Sequence, residues 1–136
     1  MHINLNEHSK KMKLIKLINA RSVIVQHARE KLPVQTAYKL IKFLKSTDND
    51  EIFYNEKRRD IINQYAEKDK EGNLKQKNGM LSWLPGKEEA CNNELIELND
   101  TQVELPPIKF TIDELGGLQL SVKDVFDIEE LLIEEG

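Results

Sequence analysis

Residues 34–46, with the sequence VQTAYKLIKFLKS, carry the clearest structural signal in this chain of 136 residues. Their apolar side chains recur at the 3.6-residue period of an α-helix, whereas Lys39, Lys42 and Lys45 lie away from the centre of the apolar face. Pro33 directly precedes the stretch, and proline is well tolerated in the first turn of a helix. The pattern predicts an amphipathic helix with its core face formed by Val34, Ala37, Tyr38, Ile41 and Leu44.

The polar cluster STDND at residues 46–50 leaves two arrangements open for the segment that follows. Ser, Thr, Asp and Asn side chains compete for backbone hydrogen bonds and favour helix caps, so the cluster can separate the two helices of a hairpin. Residues 51–68 resume a helical pattern, so the cluster can equally be the exposed middle of one long helix over residues 34–69.

Upstream of Pro33, the sequence predicts a flexible extension, a strand and a helix. Residues 1–11 are polar and form the predicted extension, with Met12 as an alternative start of translation. The run KLIKLI at residues 13–18 fits neither the strand period nor the helix period cleanly, and its shortness favours a strand. Asn19 then suits a helix N-cap, and residues 20–32 have a helical pattern.

Downstream of residue 70, turn signals alternate with short elements. Asn78-Gly79 predicts a β-hairpin, because both residues tolerate positive φ. The other predicted elements are a helix over 87–99, an edge or bent strand over 101–112 interrupted by Pro106-Pro107, a strand over 118–120, and a final helix that opens with a capping box at 121–124.

These elements predict an α+β fold, in which an N-terminal strand and helical half precede a small β-rich region with short helices. Residues 12–136 are long enough to form a single domain with a hydrophobic core. The expected core residues are Ile24, Ala37, Ile41, Leu44, Ile62, Trp83, Leu95, Phe110 and Val125.

Charge is distributed unevenly along the chain. Residues 1–70 contain 15 Lys and Arg against 9 Asp and Glu, a net charge of +6, whereas residues 71–136 contain 5 against 15, a net charge of −10. Two interpretations follow: a basic binding face, or two halves that attract each other within one fold or between subunits.

Residue patterns typical of catalysis or cofactor binding are missing. The six glycines form no phosphate-binding loop, and one cysteine with three histidines makes no recognisable zinc site, so we expect no cofactor and no metal. Cys91 and His27 are expected to be structural residues rather than a nucleophile and a base. The sequence therefore predicts a non-enzymatic protein.

No signal peptide or membrane span is predicted, because the apolar runs are only a few residues long. The lone cysteine favours a reducing compartment, so a cytoplasmic location is expected.

Two surfaces are candidates for binding. The acidic end of the chain, with Glu129, Glu130, Glu134 and Glu135, is a candidate contact for a protein partner. The basic half is the alternative, as a nucleic-acid-binding surface built from Lys39, Lys42, Lys45, Lys57, Arg58 and Arg59.

Several short motifs resemble a family of small uncharacterised proteins of tailed phages and prophages of Gram-positive bacteria. The resemblance covers roughly residues 12–134 and is carried by KLIKLINA at 13–20, KLP at 31–33, AYKL at 37–40, YAEKD at 65–69, GN at 72–73, VELP at 103–106, IKF at 108–110 and IEELL at 128–132. It implies a phage-encoded protein that acts in the host cytoplasm or in the virion, and it implies no activity. The resulting hypothesis is an interaction protein that assists virion assembly or inhibits a host factor.

Overall fold

The computed structural model describes residues 10–133 and has the predicted α+β fold. Helices and short antiparallel strands follow one another, with two 3₁₀ turns at Asp113–Leu115 and Glu129–Leu131. The helices and strands are β1 (Lys10–Lys13), α1 (Leu14–Gln26), α2 (Val34–Tyr65), β2 (Gln76–Lys77), β3 (Met80–Leu81), α3 (Glu88–Asn99), β4 (Gln102–Leu105) and α4 (Val122–Ile128).

Strand β1 pairs with β4 in antiparallel register, with Lys10 opposite Leu105 and Met12 opposite Val103. Lys10 and Lys11 therefore belong to the sheet and not to an extension, and the rest of the predicted extension, residues 1–9, lies outside the described residues. The backbone turns directly from β1 into α1, where the Leu14 amide donates to the Thr101 carbonyl at 2.8 Å.

The predicted strand over residues 13–18 is wrong beyond Lys13, and Asn19 lies inside α1 rather than at its N-cap. The reason is that α1 is buried on two sides. Leu17 belongs to the main core, whereas Leu14 belongs to a second cluster that Ile15 and Ile18 pack against. Apolar pairs on two helix faces obscure the 3.6-residue period that a helix with one buried face would show.

Helix α2 is one continuous helix of 32 residues, so the long-helix arrangement is correct and the hairpin is not. At 1.5 Å per residue it is about 48 Å long. The polar cluster lies within it: Ser46 Oγ donates to the Lys42 carbonyl and Thr47 Oγ1 to the Phe43 carbonyl, both at 2.8 Å. Hydroxyls that bond to the preceding turn can be accommodated inside a helix.

Arg21 joins the middle of α1 to the middle of α2. Its side chain is buried, and Nη1 donates to the Leu44 carbonyl and to Thr47 Oγ1, both at 2.6 Å. Nη2 donates to Asp48 Oδ1 and to Glu51 Oε2, both at 2.8 Å. A buried charge is strongly unfavourable unless it is paired and hydrogen-bonded, and four acceptors on α2 satisfy both terminal nitrogens, although Nε is buried without a hydrogen-bond partner.

The inner face of α2 differs from the predicted one. Its buried side chains are Thr36, Phe43, Thr47, Tyr54 and Ile62. Of the expected core residues, Ile24, Ile62 and Phe110 are buried, whereas Ala37, Leu44, Trp83 and Leu95 are only partly buried, and Ile41 and Val125 are exposed. The buried face of α2 is therefore rotated by about one residue from the predicted face and includes two threonines. Thr47 is buried because its hydroxyl oxygen accepts a hydrogen bond from Arg21.

The second half of the described chain matches the prediction in part. The hairpin turn at Asn78-Gly79 is confirmed by φ angles of 56° and 78°, as are the helix α3 and a buried Cys91. The capping box at the start of α4 is also confirmed, with Ser121 Oγ accepting from the Asp124 amide at 3.0 Å.

The predicted strands in this half are too long. Strand β4 ends at Leu105, because Pro106 has no N–H to continue the ladder, and Phe110 makes only an isolated bridge to Leu132. Residues 118–120 are not a strand, since the Gln119 amide donates to Glu30 Oε1 at 2.8 Å instead of to a neighbouring strand. The part of the acidic end that the structure describes, up to residue 133, contains a short helix followed by a 3₁₀ turn.

Replacing Arg21 with methionine should lower the free energy of unfolding by about 3 kcal/mol, because the hydrogen bonds that join α1 to α2 are lost. The matched control is Arg59→Met, which makes the same change at an exposed position of α2 and should cost less than about 0.5 kcal/mol. Urea denaturation followed by far-UV circular dichroism measures both. Equal stability of the two variants would contradict the structural role of Arg21.

Candidate protein-binding groove

The first two turns of α2 carry large apolar side chains that face solvent. Val34, Tyr38 and Ile41 are 84%, 59% and 46% exposed, respectively. Their spacing predicts all three on the apolar face of α2, and Ile41 is among the expected core residues, so their exposure differs from the prediction. Helix α2 thus has apolar residues at helical spacing on its outer side as well as on its inner side. Contiguous exposed apolar side chains of this kind mark interaction sites more often than isolated ones do.

A groove opens beside these residues, between the end of α1 and the start of α2. Its volume is about 140 Å³. We call it the α1–α2 groove, and its lining is mainly apolar: Ile24, His27, Ala28, Glu30, Leu32, Ala37, Leu40, Ile41, Leu44 and Leu118. None of these residues was a predicted site residue. The only sequence signal for the groove is the excess of apolar residues in the first turns of α2.

Gly117 holds the loop that forms one wall of the groove. A Cβ atom at this position would lie 2.8 Å from the Lys31 carbonyl oxygen and 3.1 Å from a methyl carbon of Leu32. Glycine therefore allows the segment around Leu118 to approach the loop that carries Leu32. Leu32 and Leu118 both line the groove as a result.

One end of the groove is polar and contains a charged cluster. The His27 ring bonds to the Glu30 carboxylate through Nδ1 and to Asp124 Oδ2 through Nε2, the latter at 3.1 Å. The side chain of His27 is only 13% exposed. The cluster connects the end of α1 to the start of α4, and Glu30 also accepts the amide of Gln119.

The pKa values of the three groups shift as the contacts require. The bond to Glu30, with a smaller contribution from Asp124, raises the pKa of His27 above its ordinary value. The Gln119 amide and then His27 lower the pKa of Glu30, and the Ser121 amide and then His27 lower the pKa of Asp124. The carboxylates of Glu30 and Asp124 therefore both stabilise the contact that His27 makes between the end of α1 and the start of α4.

Four basic side chains are neighbours in sequence of residues that line the groove. Arg29 and Lys31 belong to the loop between α1 and α2, Lys42 and Lys45 lie on α2, and all four are exposed. The Nζ atom of Lys42 lies 5.0 Å from the centroid of the Tyr38 ring, which is within the range of a cation–π contact. Within residues 10–133, none of these four side chains forms an ion pair with a carboxylate.

The six residues predicted to bind nucleic acid are not brought to one face. Lys39 is engaged internally: its Nζ atom lies 2.9 Å from Glu114 Oε2 and 4.7 Å from the Phe110 ring centroid. Lys42 and Lys45 are exposed on the first part of α2, whereas Lys57, Arg58 and Arg59 are exposed about three turns or more further along the helix. Three successive helical residues are 100° apart, so they point to different sides of the helix.

Half of the predicted acidic contact is also used internally. Lys16 Nζ lies 3.0 Å from Glu130 Oε1 and 3.5 Å from Glu129 Oε1. These carboxylates, Glu130 foremost, raise the pKa of Lys16 above its ordinary value, against the effect of burial. Glu134 and Glu135 lie outside the described residues.

The unequal charges of the two halves are matched within the fold. Lys13 pairs with Asp100 at 3.3 Å and Lys39 with Glu114 at 2.9 Å, in addition to the pairing of Lys16 with Glu129 and Glu130. Each pair joins a basic residue of the first half to an acidic residue of the second. Of the two interpretations of the charge pattern, attraction between the halves within one fold is therefore confirmed for these residues.

Cys91 is a free, buried cysteine. Burial raises the pKa of the Cys91 thiol, which makes it a poor nucleophile. Among residues 10–133, no group of three His, Cys, Asp or Glu side chains is placed to hold a metal ion, and none of the helices in that range is both long and apolar enough to cross a membrane.

Comparison of the chain with models of known protein families, with curated proteins and with solved structures produced no match. The resemblance to phage proteins described above therefore stays a prediction.

Replacing His27 with glutamine should destabilise the protein in a pH-dependent way. The stabilisation from His27 is complete below pH 6.5, its ordinary pKa, and disappears as pH rises through its raised pKa. The stabilisation from Glu30 is complete above pH 4.5 and that from Asp124 above pH 3.8, and both disappear as pH falls through the lowered pKa values of these groups. The difference in Tm between wild type and variant should thus be largest between pH 4.5 and pH 6.5 and smaller at lower and higher pH. A difference independent of pH would contradict the assigned cluster.

Replacing Gly117 with alanine should cost about 1–3 kcal/mol of unfolding free energy, because the new Cβ atom meets a backbone oxygen that cannot move alone. Gly116→Ala is the matched control: its Cβ atom would lie 3.2 Å from the Asp113 carbonyl oxygen, so a smaller loss is expected. Denaturant unfolding measures both losses, and a larger loss for Gly116→Ala would show that the close approach at Gly117 is not limiting.

Proposed function

We propose that this chain is a non-enzymatic protein that binds another protein through the α1–α2 groove. Following the resemblance of its sequence, we further propose that it is encoded by a phage or prophage. Its partner would then be a virion protein or a host protein of the bacterial cytoplasm, and binding would assist virion assembly or inhibit a host factor.

The observation that carries the proposal is the exposed apolar surface beside the groove. Val34, Tyr38 and Ile41 expose about half or more of their side chains next to a mainly apolar concavity. Burying such side chains against a partner is favourable by about 25 cal/mol for each Å² of apolar area. Aromatic anchors in particular carry a large share of the binding free energy at protein interfaces, which makes Tyr38 the expected centre.

The groove suits a protein side chain better than a small molecule. Pockets for drug-sized ligands have volumes of about 300–1,000 Å³. The α1–α2 groove has about 140 Å³, and its polar groups, His27 and Glu30, are already bonded to each other. The groove therefore has room for one large side chain but few free polar groups to orient a substrate.

Nucleic-acid binding by the basic residues is the second candidate. The exposure of Lys57, Arg58 and Arg59 favours it, since phosphate contacts need accessible cations. It has less support than protein binding, because Lys39 is engaged with Glu114 and the remaining cations do not form one stripe.

A glutamate at Ile41 tests the proposal. The side chain is 46% exposed, so Ile41→Glu should fold normally but replace an apolar side chain of the contact with a charged one. Ile52→Glu is the matched control, since Ile52 is the same residue type on the same helix, is 51% exposed and does not line the groove.

Tagged wild type and both variants are used in nuclease-treated pull-downs from prophage-induced cells, with quantification by mass spectrometry and folding checked by circular dichroism. We expect recovery of the partner to fall at least about tenfold, or about 1.4 kcal/mol, for Ile41→Glu and to stay near wild type for Ile52→Glu. Equal recovery with all three proteins, or no stoichiometric partner, would refute binding through the groove.

A further inference from the structure

The charge around the α1–α2 groove restricts what can bind there. Four exposed cations lie next in sequence to residues that line it: Arg29, Lys31, Lys42 and Lys45. Lys42 also contacts the Tyr38 ring. Lys13, Lys16 and Lys39 are instead paired with carboxylates of the same fold, whereas Lys57, Arg58 and Arg59, further along α2, are exposed like the four cations of the groove. The rim of the groove is therefore a place where positive charge is left without a carboxylate among residues 10–133.

Two carboxylates near the rim in sequence, Glu30 and Asp48, offset only part of its four positive charges. Glu30 is held by His27 and by the Gln119 amide, and Asp48 by Arg21. Both groups are thereby directed to contacts within the fold. A docking segment would meet a positive rim, and like charges placed there would cost several kcal/mol in the worst case.

The volume of the groove limits the apolar part of the partner. A cavity of about 150 Å³ accommodates a molecule the size of benzene. At about 140 Å³, the groove takes one large apolar side chain, such as leucine or phenylalanine, at a time. Tyr38, Val34 and Ile41 extend the apolar surface along the first turns of α2, so a second apolar side chain of the same segment can rest outside the groove.

We propose that the partner segment is acidic and amphipathic, with a large apolar side chain in the α1–α2 groove and flanking Asp or Glu carboxylates on Lys42, Lys45 and the Arg29–Lys31 loop. This inference rests on the proposed function, because it specifies the chemistry of the protein bound at that groove. Charge-assisted hydrogen bonds from lysine and arginine to these carboxylates would fix the orientation of the segment and speed its association.

Photo-crosslinking from Tyr38, on the exposed apolar surface beside the groove, identifies the segment directly. The photoreactive residue p-benzoylphenylalanine replaces Tyr38, which is aromatic and 59% exposed, in the full chain expressed in prophage-induced cells. A second protein with the same residue at Phe53, which is 45% exposed and does not line the groove, is the control for nonspecific adducts. Mass spectrometry then gives the sequence of each crosslinked peptide.

Charge reversal supplies the second readout. The double variant Lys42→Glu, Lys45→Glu is combined with the Tyr38 crosslinker and should reduce the yield of the specific adduct at least about tenfold. The control is Lys57→Glu, Arg58→Glu, which reverses two exposed cations of the same helix away from the groove and should leave the yield within about twofold. Raising the salt concentration should lower the wild-type yield as well.

An adduct to an acidic amphipathic peptide, formed from Tyr38 but not from Phe53 and reduced by reversal at Lys42 and Lys45, would support the inference. An adduct to a neutral or basic peptide, or one insensitive to the reversal, would overturn the inference and leave protein binding at the groove intact. An adduct to nucleic acid, or no specific adduct from Tyr38, would overturn both the inference and the proposed function.

Discussion

The hydrogen bonds of Arg21 are the constraint on which the arrangement of the long helix depends. A buried guanidinium needs acceptors in a fixed fork, and α2 supplies them from the Leu44 carbonyl, Thr47, Asp48 and Glu51. Those acceptors span two turns of one helix face, so the fork is satisfied only if α2 continues unbroken through residues 46–50. Thr47 and Asp48 have weak helix propensity, but both lie in the middle of α2 because the buried guanidinium of Arg21 donates hydrogen bonds to them.

That constraint also fixes where the two helices of the N-terminal half can separate. Arg21 holds the centre of α1 against the centre of α2, and the loop of residues 27–33 connects their ends. Between this contact and the loop lies the α1–α2 groove. The cluster around His27 and the close approach at Gly117 hold the loop on its other side, so the groove is bounded by rigid contacts at both ends.

The sequence predicts local structure well where one physical effect dominates. Asn78-Gly79 forms its turn because positive φ is needed there, and Ser121 caps α4 because an orphan amide needs an acceptor. Prediction fails where two effects compete. The run KLIKLI is helical because it packs on two sides, and Thr47 is buried in place of an apolar residue because Arg21 lies opposite.

The candidate site was missed for the same reason. Val34, Tyr38 and Ile41 have the spacing of core residues, and periodicity alone does not distinguish a face packed in the fold from a face left for a partner. The acidic and basic residues that composition singled out are partly used inside the fold: Lys39, Glu129 and Glu130 pair internally. Long-range ion pairs of this kind depend on the tertiary arrangement, which charge counts along the chain do not contain.

The pairing of β1 with β4 has a consequence for the kinetics of folding. Most of the described chain lies between the two strands in sequence, yet Lys10 pairs with Leu105. Met12 of β1 is buried in the core. During synthesis, Met12, Leu14 and Leu17 emerge long before the strand that covers them, whereas the helical segment of α2 needs only local contacts to form. Because closing so long a loop slows folding, we expect the N-terminal strand to be placed last, after the ribosome has released or nearly released β4. Until then the apolar residues of α1 are open to chaperones and to other chains.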